Sequence, residues 1–420
     1  MSGDHDESAP AAPLAGLTVL DLTLALAGPF ATFLLAGLGA RVIKIENPAS
    51  PDHCRENAPF IGRRGVSLGR TAPDDVSVAA LNRLRGKYAV TLNLKQPGSD
   101  AVFADLVRMA DVVVENFSPG TLDRLGIGYE RARTWNPRIV YCSISGYGAD
   151  RQASGTGKAM DSIIQALSGL MMTSGGPADP PVRVGVPVAD LLAPVFGVVG
   201  ILAALRQRDG TGVGQHVDVS MLGVLTSLVA AEPFDLLEAC GLPQRTGRMV
   251  PRLTPFGVFE SADGYLAICA PTEQFARGVF AAIGRPELAH DPRFATRDAR
   301  VANMDAINAL IEAFTRDRST AELVPLFEAN GVPAAEVRSP AAAVRDPRVL
   351  ARGETVPIEH PEFGRVADVI GPGVPIRFSR AALPEPRAAP AVGQDNALVY
   401  GEWLGYGAAE LERLRAAGNI

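Results

Sequence analysis

The chain has 420 residues with 47% hydrophobic and 20% charged side chains, an ordinary globular composition that excludes collagen-like and disordered classes. At about 100 to 200 residues per domain, the length suggests two or three domains. A net charge of −6 from 40 Lys+Arg and 46 Asp+Glu argues against a nucleic-acid binder while leaving room for a local cationic pocket. Cys54, Cys142, Cys240 and Cys269 are far apart, so neither a disulfide framework nor a zinc site is expected, and a reducing cytoplasm fits.

The acidic start, MSGDHDESAPAAP, reads as a tail over 1–12 without the basic and apolar regions of a signal peptide. Leu22 to Ala40 is free of charge and Leu191 to Leu205 is apolar but short. Both are read as buried elements, so no membrane span is expected. TVLDL reads as a buried strand, FATFLLAGLGA as a helix with Pro29 near its first turn, and RVIKIE as a second strand, a βαβ unit. DHCRENAPFIGRRGVSLGR, carrying Arg55, Arg63, Arg64 and Arg70, has little periodicity and reads as a surface loop, with an acid-binding lid as the sharper alternative. The grammar then repeats: strand at Tyr88–Leu94, helix at Pro97–Ala110, strand at Val112–Glu115, helix over Thr121–Trp135, strand at Arg138–Ile144. Helices follow at Asp161–Met172 and Leu191–Arg206. PFGVFE and YLAICA flank the turn SADG as a hairpin opening a smaller α+β domain, with helices at Thr272–Ile283, Asp298–Thr315 and Thr320–Ala329. VPIEHPEFGRVADV suggests a late hairpin before a polar terminal helix.

Gly155-Thr156-Gly157-Lys158 fails as a phosphate loop because Gln152 and Ala159 stand where Gly and Ser/Thr are required. Ala27-Gly28-Pro29 replaces the dinucleotide fingerprint, and Pro29 removes an amide donor. No histidine lies in a metal-binding motif, and GxSxG is absent. Carboxylates remain. Asp190 closes VGVPVAD and opens LLAPVFGVVGILAAL at a helix start. Its plain role is an N-cap of about 1 kcal/mol, yet the same place keeps a carboxylate ionised and supplies amides to a developing oxyanion. Asp161 also stands near a helix start, with Lys158 three residues earlier.

Several ordered segments, LAGLTVLDLTLALAGPFATFLLAGLGARVIKIE, RGKYAVTLNLKQP, ADVVVENFSPGTLDRLGIGYE, NPRIVYCSISGYG and PPVRVGVPVADLLAPVFGVVGILAALRQRDGTGVGQHVDVSM, together resemble the family III CoA-transferases. That group also contains the α-methylacyl-CoA racemases, and the likeness runs from about Pro13 to Arg380. The resemblance implies an α/β fold: a Rossmann-like large domain over 13–220 and 335–420, a small domain over 221–334, and two interlinked subunits. It implies that Asp190 is the nucleophile of an acyl-CoA:carboxylate CoA-transferase, with no metal and no cofactor beyond the CoA thioester. CoA contacts carry over to Leu26, Ala27, Asn47, Leu92, Lys95, Asn116, Phe117, Ser118, Arg124, Lys158, Met160 and Asp161, with Lys95, Arg124 and Lys158 suited to phosphates. A closing loop is expected near Gly247 to Thr254.

This sequence departs from the pattern it resembles in three places. Leu24 and Leu26 stand where the formyl-CoA branch has His and Gln, and TGRMVPR replaces its glycine run, so formyl or oxalyl specificity is not expected. Met160 replaces the histidine of the racemase branch, which removes one of two acid/base partners. An isomerase and a non-catalytic CoA-binding protein remain the alternatives, and the arginines of 55–70 motivate a dicarboxylic substrate.

Overall fold

The computed structural model describes residues 11–149, 158–365 and 368–420. Most of the expected tail, the Gly155–Gly157 segment and two residues of the late hairpin lie outside them. The chain divides into two compact units, one of 1–168, 185–231 and 344–420, the other of 169–184 and 232–343.

In the first unit, short runs with every residue buried, such as β1 (Thr18–Asp21), demand cover on both faces, which is the condition for a parallel sheet. β1, β2 (Arg41–Glu46), β6 (Lys87–Thr91), β7 (Val112–Glu115), β8 (Val140–Ser145) and β9 (His216–Ser220) form one six-stranded sheet in the order β6-β2-β1-β7-β8-β9, and every pairing in it is parallel. This is the doubly wound order whose direction reverses between β1 and β7, leaving a crevice beyond their carboxyl ends. The connecting helices include α1 (Ala27–Gly37), α2 (Val78–Leu84), α3 (Ser99–Met109), α4 (Thr121–Arg124), α5 (Tyr129–Trp135), α6 (Asp161–Leu167) and α7 (Val188–Thr211). Gly28 has to be glycine, because a Cβ there would stand 2.2 Å from that of Thr23.

The expected single helix over 121–135 is two, broken at Gly126 and Gly128, and Asp161–Met172 is helical only to Leu167 before a short helical turn at Leu170–Met172. α7, 24 residues long, extends beyond the expected Leu191–Arg206 and is long and apolar enough by composition to cross a membrane. One face of it packs on β8 and β9. The helix leaves Val195, Phe196 and Val199 exposed, and α6, which packs on it, leaves Ile163 and Leu167 exposed.

The insertion expected as a loop is folded: β3 (Phe60–Gly62) pairs antiparallel with β4 (Gly65–Ser67) and β5 (Val76–Ser77). Cys54 and Ile61 pack there on Leu81, Leu84, Ile358 and Ala389. Arg55, Arg63 and Arg70 are engaged within the chain, which leaves the acid-binding lid without support from them. Arg55 pairs with buried Glu46 at 2.6 Å, Arg70 pairs with Glu56 at 2.9 Å, and Arg63 stacks on Phe363. In the second unit the SADG turn joins the expected hairpin, Phe256–Ser261 against Gly264–Cys269, extended by Ala334–Glu336. Back in the first unit, the late hairpin pairs Thr355–Pro357 with Ile370–Pro372.

Beneath the crevice lies a fully buried charge network. Asp21, the last residue of β1, accepts from Lys87 at 2.8 Å, Thr32 at 2.6 Å and Thr23 at 2.5 Å. Lys44 donates to the carbonyl of Thr23 and pairs with Asp52 at 3.2 Å. Burial alone would raise the Asp21 carboxyl, but Lys44 and Lys87 outweigh it and hold it well below the carboxylate range. Removing Asp21 leaves the buried Lys87 ammonium without a carboxylate and Lys44 with Asp52 alone, so Asp21→Ala is expected to lower unfolding free energy in urea by about 3–5 kcal/mol at neutral pH. The Asp21 contribution is full above its unfolded pKa of about 3.9 and is lost as pH falls through the lower folded value. The gap between the two proteins therefore narrows in acid. An unchanged midpoint at neutral pH would refute the network's role.

Candidate active site

The β1–α1 loop forms one wall of the crevice, and side chains from three directions fix it. Ala25 adopts the left-handed conformation at φ 67°, unusual for a residue with a Cβ. Its N–H donates to Asp52 at 3.0 Å and its carbonyl accepts from Arg83 of α2 at 2.7 Å. Across the switch point, the Asn116 amide accepts from the Leu24 N–H at 2.8 Å and donates to the Leu24 carbonyl at 2.9 Å. Asn116 thereby ties the loop after β7 to the loop after β1.

Between these loops and the starts of α6 and α7 lies a cleft of ≈ 790 Å³. Nine of the expected residues line it together: Leu26, Ala27, Asn116, Phe117, Ser118, Lys158, Met160, Asp161 and Asp190. Four do not. Asn47 and Lys95 stand near the ends of β2 and β6, where Asn93 accepts from the Asn47 amide and the Lys95 N–H. The Leu92 side chain is buried in the core, and Arg124 borders a separate shallow cavity with Gly120, Asp123 and Ala149. His53, Ser145, Tyr147 and Met221 join the cleft without having been singled out in the sequence.

Asp190 is the third residue of α7, whose cap position is Pro187, and its carboxylate makes no capping bond. Among the described residues that carboxylate has no hydrogen-bond partner. Asp161 takes the capping role from 28 residues upstream: one oxygen accepts from the Ala189 N–H at 2.8 Å and the other from Gln165 at 2.7 Å. The two acids therefore divide the work, one binding the helix start and the other facing the cleft. Burial first, then the charge of Asp161, push the Asp190 carboxyl up to about 6, while Arg83 pulls the other way. A carboxylate so raised is more basic and a better nucleophile, yet still ionised at neutral pH. Arg83, missed in the sequence, thus touches the site twice, through Ala25 and through its charge near Asp190.

Comparison with known proteins gives the family of the chain. The family described as "CoA-transferase family III" matches residues 14–396. The acetyl-CoA:oxalate CoA-transferase of Acetobacter aceti is 38% identical over 94% of this chain and 96% of its own length. The mouse succinyl-CoA:glutarate CoA-transferase is 33% identical over 97% and 90%. A crystal structure of a CAIB/BAIF family protein from Brucella suis superposes with a TM-score of 0.78 at 33% identity, covering 94% of this chain and 99% of that one. The chain belongs to CoA-transferase family III and is a CoA-transferase.

In a carbon-13 titration of the side-chain carboxyls, Asp190 is expected to titrate near pH 6. In Asp161→Asn, whose amide oxygen can still accept from Ala189, the midpoint moves down because a like charge is gone. A midpoint near the ordinary aspartate value in both proteins would contradict the coupling.

Proposed function

We propose that the protein transfers CoA from an acyl-CoA thioester to a dicarboxylic acid through covalent intermediates on Asp190. The observation that carries the reading is the Asp190 carboxylate, unbonded among the described residues and raised in basicity, on the wall of a cleft large enough for a thioester. An Asp190 oxygen attacks the thioester carbonyl, the C–S bond breaks, and CoA leaves as a thiolate with a mixed anhydride left behind. The thiolate attacks the aspartyl carbonyl of that anhydride, giving an aspartyl-CoA thioester and releasing the first acid as its carboxylate. The acceptor carboxylate attacks this thioester, forming a second anhydride and freeing the thiolate. Attack of the thiolate on the acyl carbonyl then yields the new acyl-CoA and restores Asp190. The electrons and atoms balance with no other cofactor.

The Val188 and Ala189 amides at the start of α7 are already taken by the Val186 carbonyl and Asp161, so they do not serve a developing oxyanion, and Lys158 supplies a cation for the CoA phosphates. Relatives named for oxalate and glutarate transfer support a dicarboxylic acceptor, although the arginines of 55–70 do not. The oxalate relative also weakens the sequence-based argument against an oxalyl substrate. The racemase alternative lacks support in the site, because Met160 is the residue before Asp161 and is 72% exposed.

Two copies of the chain form the working unit, in our reading, and the apolar face of Ile163, Leu167, Val195, Phe196 and Val199 is where a second copy excludes water. Sedimentation equilibrium is expected to give twice the chain mass, and a monomer at micromolar concentration would overturn the dimer.

Incubation in heavy water with an acyl-CoA donor and a panel of carboxylic acids, followed by mass spectrometry of the CoA species, is expected to show new dicarboxylyl-CoA products without deuterium at the α-carbon. Asp190→Ala is expected to lose roughly 10³-fold or more in rate. Deuterated starting thioester without exchange would replace transfer by isomerisation. Product formation at the wild-type rate in Asp190→Ala would remove the nucleophile.

A further inference from the structure

Behind the Phe117–Pro119 wall of the cleft lies a second, smaller cavity of ≈ 90 Å³ that shares Phe117, Ser118, Pro119 and Ser145 with it. Its floor is built where β7 and β8 end and β9 begins. Glu115, the last residue of β7, is 8% exposed and accepts from the Phe117 N–H at 2.7 Å. Ser143 of β8 is the cross-strand neighbour of Glu115 and lines the same cavity, and its hydroxyl stands 2.9 Å from Nε2 of His216 at the start of β9. The imidazole is fixed by stacking on Tyr129 and by the edge of Tyr141. Asp123 in α4's first turn, Asp218 of β9 and Tyr141 of β8 also face this cluster, Glu130 of α5 acts on His216, and among the described residues no Lys or Arg pairs with Glu115.

We propose that Glu115, Ser143 and His216 form a proton-holding relay that positions the Phe117–Pro119 wall, which makes Glu115 a positioning residue for binding of the coenzyme. The relay can be satisfied in two senses. With Glu115 ionised, His216 Nε2–H donates to Ser143 and the Ser143 hydroxyl donates to the carboxylate. With Glu115 protonated, the acid donates to Ser143 and Ser143 donates to the imidazole. Only the first sense gives Phe117 a charged acceptor, and a charge-assisted hydrogen bond is roughly twice as strong as a neutral one. Burial, with Asp123 and Asp218 adding to it against the bonds from Ser143 and Phe117, pushes Glu115 up to about 7, and burial lowers His216, so the change of sense falls near neutrality. The wall is therefore held more firmly as pH rises through this range.

The inference rests on the CoA-transferase reading and is tested by binding rather than turnover. Free CoA is titrated calorimetrically into the wild-type protein and Glu115→Gln at pH values well below and well above about 7. The ligand's own phosphate titrates in both proteins, so the difference between them is read. The wild type is expected to gain roughly 5-fold more affinity than Glu115→Gln on going from low to high pH. In Ser143→Ala the bond that holds Glu115 down is lost, so the step persists with its midpoint moved to higher pH. A merely structural role would weaken binding equally at every pH. Identical pH dependence in all three proteins overturns the relay, as does a Ser143→Ala midpoint that stays in place. Absence of CoA binding at any pH overturns the transferase reading itself.

Discussion

The whole site depends on a carboxylate that never touches substrate. Asp21 ends the central strand at the point where the sheet reverses direction, and a charge there is tolerable only because Lys44, Lys87, Thr23 and Thr32 converge on it. The same lysine reaches Asp52, and Asp52 holds the Ala25 N–H, so the network extends directly into the wall of the cleft. Ala25 can occupy a left-handed conformation because three side chains over-determine it, through itself and its neighbour Leu24. Electrostatics deep in the sheet thus become backbone geometry at the surface where a thioester would lie.

Two acids near one helix start are kept chemically distinct by burial and by hydrogen bonding. Asp161 spends both oxygens on Ala189 and Gln165, and Asp190 spends neither. The capping acid stabilises the helix, and its charge also keeps its neighbour basic. This arrangement explains how a residue in the first turn of a helix, normally among the most acidic of positions, becomes a nucleophile.

Much of the fold was legible because buried parallel strands must be short, continuous and apolar, and runs such as VVVE leave few other readings. The insertion at 52–70 reads as a loop because the strands it forms are only three residues long, and the residues that bury it, Ile358 and Ala389, arrive from the far end of the chain. Likewise, nothing local reveals that Asp161 caps a helix 28 residues on, so the residues around Asp190 alone leave its N-cap reading open. Motif matching located backbone positions and not side-chain directions, which is why Leu92 proved to be core. Arg83 shows the same limit. Two residues later Arg85 donates to the Pro372 carbonyl and lies over Phe33, and the sequence offers no sign that one faces the site and the other the core.

The central claim is that Asp190 becomes covalently bonded to CoA, and acid-quenched peptide mapping tests it most directly. After brief exposure to an acyl-CoA donor without acceptor, the account predicts that the tryptic segment from Val184 to Arg206 is heavier by one CoA less one water, with the addition on Asp190 and absent from Asp190→Asn. Productive transfer with this segment unmodified at every quench time, or the adduct on another residue, would contradict it.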